Sequence, residues 1–104
     1  MSDEQTPYDA YGIQCGPGWQ SLYQPILDLA QLYGIPIAQV KEKFGRLRIY
    51  TDGPDRRLST LIAAAEAMSI HICEECGASA ERGSTRTGWM RVLCPSCRTQ
   101  METT

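Results

Sequence analysis

At 104 residues, with 42% hydrophobic and 21% charged side chains and a formal net charge of −2, the chain has the size of one ordinary domain with a modest core. Its acidic balance argues against a dedicated non-specific DNA coat. Its longest apolar run, residues 61–70, is broken by Glu66 and is too short for the ~20 residues of a membrane helix. The opening residues contain no basic stretch leading into an apolar one, so no secretory signal is expected and a cytoplasmic location follows.

Residues 1–17, rich in Pro, Gly, Asp and Ser and without a hydrophobic period, read as a flexible N-terminal arm. From Trp19 the apolar positions Leu22, Tyr23, Ile26, Leu27, Ala30 and Tyr33 recur at three- and four-residue steps. This predicts a helix that stops at Gly34 and Pro36, with Pro25 kinking or restarting it. From Ile37 to Thr51 the period becomes two. Val40, Glu42, Phe44, Leu47 and Ile49 alternate with Lys41, Lys43, Arg46, Arg48 and Tyr50, giving a β-hairpin that turns at Gly45, with one apolar and one basic face. Asp52 or Asp55 then supplies an N-cap for a second amphipathic helix marked by Leu58, Leu61, Ile62, Ala65 and Met68, ending near Ser69.

The last third carries four of the five cysteines. Cys73 and Cys76 are two residues apart, Cys94 and Cys97 likewise, and 17 residues separate the pairs. That is the spacing of a four-cysteine zinc site, because a two-residue spacer lets a tight turn aim both sulfurs at one metal. A reducing compartment favours metal over disulfides, and iron is the minor alternative. Gly77 suits the knuckle after the first pair, and Pro95 suits the first position of a helix whose N-terminus would steady thiolate charge. Gly83, Ser84 and Gly88 read as turns, and residues 89–93 as a strand. The predicted fold is a small single α+β domain: helix–β-hairpin–helix over residues 18–70, followed by a zinc ribbon or treble-clef-like module over 71–104 packed on it.

Four thiolates close a tetrahedral zinc, whereas a catalytic zinc keeps an open position, so the reading is one structural Zn²⁺. The H-x-E and P-C-x-x-C pattern of zinc deaminases is missing at both halves, since Cys73 stands two residues after His71 and Leu93 precedes Cys94. Cys15 with His71 would be the remaining nucleophile pair, but no orienting third residue accompanies it. His71 reads first as a surface or packed histidine. Residues 41–57 hold six Lys or Arg against three Asp or Glu, while residues 1–40 hold no basic residue. Lys41, Lys43, Arg46, Arg48 and Tyr50 are therefore the candidate partner-binding face, joined by Trp89 and Arg91 near the metal module. Trp19 is assigned to the core.

The strings CGPGW at 15–19, QVKEKFGRLRIY at 39–50 and CEECG at 73–77, followed by GWMRVLC, resemble a group of small phage and prophage proteins without assigned activity, over roughly residues 12–98. The resemblance implies a phage-encoded cytosolic accessory protein. With no catalytic constellation in the sequence, the leading expectation is a non-enzymatic protein that engages a host or defence-system protein, an anti-defence inhibitor among the forms this takes. The alternatives are a nucleic-acid-binding protein using the basic hairpin with Arg82, Arg86 and Arg91, and a nucleotide or signal-molecule sponge, which would need a concave pocket.

Overall fold

The computed structural model of the chain describes residues 12–53, 55–85 and 88–102. Strand β1 (Ile13–Gln14) leads through a 3-10 turn (Pro17–Trp19) into helix α1 (Gln20–Tyr33). Strands β2 (Ile37–Glu42) and β3 (Leu47–Thr51) form a hairpin, and helix α2 (Arg56–Ser69) follows. Strands β4 (Glu81–Ser84) and β5 (Met90–Leu93) pair next, before helix α3 (Pro95–Glu102). Together they make a small α+β fold with four clustered cysteines.

The first eleven residues of the expected arm lie outside the described ones, but the rest of it is no arm. Ile13 and Gln14 pair in parallel with Val40 and Lys41, so β1 joins β2 and β3 in a three-stranded sheet of order β1-β2-β3. A parallel pair needs a long crossover, and the 3-10 turn with α1 supplies it. Helix α1 passes through Pro25 without a restart. One missing N–H and a ring clash cost about 3 kcal/mol in a helix interior; here the buried stripe of Leu22, Tyr23, Ile26 and Ala30 spans the site, and each fully buried large side chain offsets about 1.5–3 kcal/mol.

The β2–β3 hairpin turns one residue earlier than the alternation predicts. Lys43 and Arg46 exchange backbone hydrogen bonds (2.9 and 3.1 Å), so Phe44 and Gly45 form a two-residue loop with φ of 54° and 73°. Both angles are positive, as the hairpin turn matching strand twist requires. Phe44, expected on the apolar face, therefore stands at the tip and is 70% exposed. Val40 faces Ile49 across the pair, and both are buried in the core with Leu47, Leu58, Trp19 and Val92.

Helix α2 is capped by Asp55, whose carboxylate accepts from Arg57 N (2.9 Å) and Leu58 N (3.2 Å). The Arg57 side chain beside it and these backbone N–H groups hold its pKa below the ordinary carboxylate value. The helix buries Leu58, Ala65 and Ser69, whereas Leu61 and Met68, expected on the core face, are exposed. The reason lies in β3, an edge strand with outward N–H groups. Leu47 N donates to Ser69 Oγ (3.0 Å) and Ile49 N to Glu66 Oε2 (3.1 Å), so α2 lies along the edge of the sheet. In the last third, Gly83 and Ser84 lie inside β4 and not in a turn. A Cβ on Gly83 would make only ordinary contact with the Arg98 guanidinium, 3.4 Å away.

Candidate metal centre

Cys73 and Cys76 sit on a knuckle closed by Gly77 N donating to Cys73 O (2.9 Å) and Cys73 N to Ala78 O (2.7 Å). Cys94 follows directly on β5, and Cys97 lies in the first turn of α3, where Arg98 N donates to Cys94 O (2.9 Å). Glu74 N donates to Val92 O (2.9 Å), which ties knuckle to strand. The four Sγ atoms thereby come within 4.8 Å of one another, with Cys76 and Cys94 sulfurs 3.6 Å apart. Four sulfurs ~2.3 Å from a tetrahedral ion stand about 3.8 Å apart, so the cluster has the size to hold a metal ion. All five cysteines are free thiols, and 3.6 Å is far beyond a disulfide bond.

The electrostatics favour a thiolate at Cys73, one of the two buried members. Burial pushes the Cys73 thiol up, but the backbone N–H groups of Cys94, Cys76 and Glu75 outweigh it and hold it at about 6. Hydrogen bonding to the Cys94 thiol, then burial, pushes Cys97 to about 12. Cys73 is thus ready to lose its proton before Cys76 and Cys97, whose pKa values are raised, and a bound cation would displace the protons that remain.

A second layer, missed by the sequence reading, surrounds the knuckle. Gly16 N donates to the carboxylate of Glu74 (2.9 Å), Gly18 N to Glu74 O (2.6 Å) and Trp19 Nε1 to Ile72 O (2.8 Å). A Cβ on Gly18 would collide with Cys73 O and lie 2.6 Å from both Glu74 O and Gly77 N. The CGPGW segment is therefore the seat of the cysteine knuckle. Glu74 is only 4% exposed, and burial raises its pKa against the opposing pull of Gly16 N–H and Arg91. Its Oε1 lies 3.3 Å from Arg91 Nε as an ion contact without hydrogen-bond alignment. A Glu between the two cysteines of the first pair, followed by a second Glu, was the available signal, but nothing in the sequence links it to Gly16.

The candidate partner residues divide. Lys41 faces Arg48 across the hairpin, but Arg48 reaches Glu66 (3.6 Å) and Arg91 binds Glu74 and Glu75, so both arginines are neutralised internally. Lys43 stands over the Phe44 ring (5.8 Å), and Trp89 is 70% exposed in the same cleft. Arg46 is half-buried just after the turn, while Tyr50 lines a different groove, between β3 and α2. Arg82 is exposed, and Arg86 lies outside the described residues. His71 is exposed and is not a member of the thiol cluster. Burial, then the charges of Glu74 and Glu42, push the Cys15 thiol to about 12, the opposite of an activated nucleophile. No helix among the described residues is long and apolar enough to cross a membrane. Comparison with protein families, with curated proteins and with solved structures finds no match for the chain.

Proposed function

We propose that this chain is a non-enzymatic accessory protein of a phage or prophage, acting in the bacterial cytoplasm, in which a structural Zn²⁺ on Cys73, Cys76, Cys94 and Cys97 fixes a surface that engages a host or defence-system protein. The knuckle, the β4–β5 pair and the helix opening at the second cysteine pair form a zinc ribbon or treble-clef-like finger around the ion. The observation that carries the reading is the four-thiol cluster itself. Four protein sulfurs complete a tetrahedral shell, which leaves no position for water or substrate. Soft thiolate ligands in tetrahedral array select zinc or iron over hard cations.

The protein partner is preferred to nucleic acid because Arg48 and Arg91 are held by Glu66, Glu74 and Glu75. The second reading, nucleic-acid binding, retains Lys41 and Lys43, neither ion-paired among the described residues, with the exposed ring of Tyr50 on the same hairpin. Elemental analysis of the purified protein tests the metal and is expected to give one zinc per chain, lost in Cys76→Ser and retained in Cys15→Ser. Folded protein without metal would refute the staple. Affinity purification from a bacterial host, with protein and nucleic acid both assayed, tests the partner. Neutralising about four phosphates gives a log–log salt slope of about −3 to −4, so a slope that steep with co-purifying nucleic acid would replace the first reading by the second.

A further inference from the structure

We infer that the cleft between Phe44 and Trp89, at the tip of the β2–β3 hairpin, is where the partner docks, and that its occupant is an acidic protein segment carrying one aromatic or large aliphatic anchor. The inference rests on the protein-partner reading above and adds the place and the chemistry of the contact.

Phe44 is the one non-glycine residue with positive φ among the described residues, at 54°. Asn, Asp or Gly meets the demand of that turn position with less strain, and a bulky side chain there is an outlier. The ring gains little from burial in return, being 70% exposed. Strain held at an exposed aromatic is what a binding surface retains and a folding core has no use for. Trp89, without that strain, is the exposed aromatic of the neighbouring hairpin. Its carbonyl accepts from Thr85 N (2.8 Å) and its N–H donates to Thr85 Oγ1 (3.2 Å), so the backbone is anchored while the indole stays 70% exposed. The two rings line one cleft of about 310 Å³ together with Glu42, Lys43, Gly88 and Met90. Gly45 joins the two hairpins: it is buried, and a Cβ there would lie 3.0 Å from the Arg82 side chain and 3.2 Å from the Met90 carbonyl carbon. Two large apolar rings on adjoining tips are the composition of an interface anchor.

Charge decides the occupant. Lys43 stands over the Phe44 ring, Arg46 follows the turn and the stem of Arg82 lies against Gly45. Glu42 is the one acid lining the cleft, and its carboxylate is turned inward to accept from Gly45 N (2.7 Å). The surroundings are therefore net positive, which complements an acidic segment. A single strand of nucleic acid would need a cationic track leading away from the rings. That track is interrupted where Arg48 and Arg91 pair with Glu66, Glu74 and Glu75.

The zinc-loaded full chain is panned against a random 12-residue peptide library, and enriched peptides are measured by fluorescence polarisation against wild type, Phe44→Asn, Trp89→Ser and Leu32→Ser. Phe44→Asn keeps the turn, because Asn-Gly is the favoured pair there, so a loss of binding is not a loss of fold. The expected result is enrichment of acidic peptides with one aromatic or large aliphatic residue. Their affinity should fall at least tenfold in Phe44→Asn and in Trp89→Ser and stay unchanged in Leu32→Ser, with a change in Trp89 emission on binding. Basic or neutral peptides, or acidic ones that bind the two cleft variants as tightly, would overturn the docking site while leaving the protein-partner reading in place. No enrichment would also overturn the inference. Salt-steep binding of the oligonucleotide dT12 that is lost in Phe44→Asn would overturn both. A concentration-dependent dimer that dissociates in Phe44→Asn would assign the cleft to a second copy of this chain and overturn the acidic occupant.

Discussion

A left-handed backbone costs a side-chain-bearing residue about 1–2 kcal/mol, and Phe44 bears that cost at φ 54°. Phe44→Asn should therefore raise the unfolding free energy by about 1 kcal/mol in urea denaturation with an unchanged m-value, even as it removes the proposed anchor. A variant no more stable than wild type would mean that the ring makes compensating contacts. Gly18 shows the opposite sensitivity. Its hydrogen position faces the backbone of Cys73, Glu74 and Gly77, atoms that cannot swing aside as a flexible side chain would. Gly18→Ala should cost about 3 kcal/mol, the upper range for overpacking, read as a fall in the thermal midpoint. An unchanged midpoint would show that the knuckle and the 3-10 turn separate without penalty. Neither residue was legible in the sequence. Phe44 was misplaced because strict alternation carries it inward, and only the two-residue loop turns it out. Gly18 reads as a turn former because its reason lies at Cys73, more than fifty residues along the chain.

At the scale of elements, the cover over the sheet edge is the contact most open to test. Ser69 is fully buried, accepts from Leu47 N (3.0 Å) and donates to Glu66 O (2.6 Å). Ser69→Ala leaves the Leu47 N–H without that acceptor and should cost about 1–3 kcal/mol in denaturant unfolding; a smaller loss would mean that another acceptor moves in. The cap of the same helix adds a pH term. Asp55 has a folded pKa below its unfolded value, so its contribution is complete above the unfolded value near 3.9 and disappears as pH falls through the folded one. Asp55→Ala should destabilise at neutral pH and flatten the acid limb of the stability profile. The periodicities of α1, β3 and α2 were readable because each has a buried face of the matching repeat, whereas β2, with a register irregularity between Ile37 and Gln39, is buried at Ile37 and Val40, three residues apart. The side of α2 was misjudged because the period marks a stripe and not its target. Contact with the strand edge runs through Glu66 and Ser69, while Leu58 and Ala65 enter the core cluster, which leaves Leu61 and Met68 outside.

Across the whole molecule, the cysteine spacing foretold the cluster but not what the cluster holds in place. The knuckle receives Gly16, Gly18 and Trp19, so the proposed zinc and the start of the chain's core are mechanically one unit. Structural zinc contributes on the order of 10 kcal/mol of apparent binding energy, comparable to the entire stability of an ordinary domain. Its removal should therefore loosen more than the C-terminal third. Trp19 is the reporter: it is 0% exposed, and its indole N–H donates to Ile72 O, the residue before the first ligand. In a Trp89→Phe background it is the sole tryptophan. Chelation with a zinc-specific reagent should shift its emission to the red, in step with metal release, and stoichiometric zinc should restore the blue-shifted spectrum. Complete metal loss with an unmoved Trp19 spectrum would separate the staple from the core and confine the metal's role to residues 73–97.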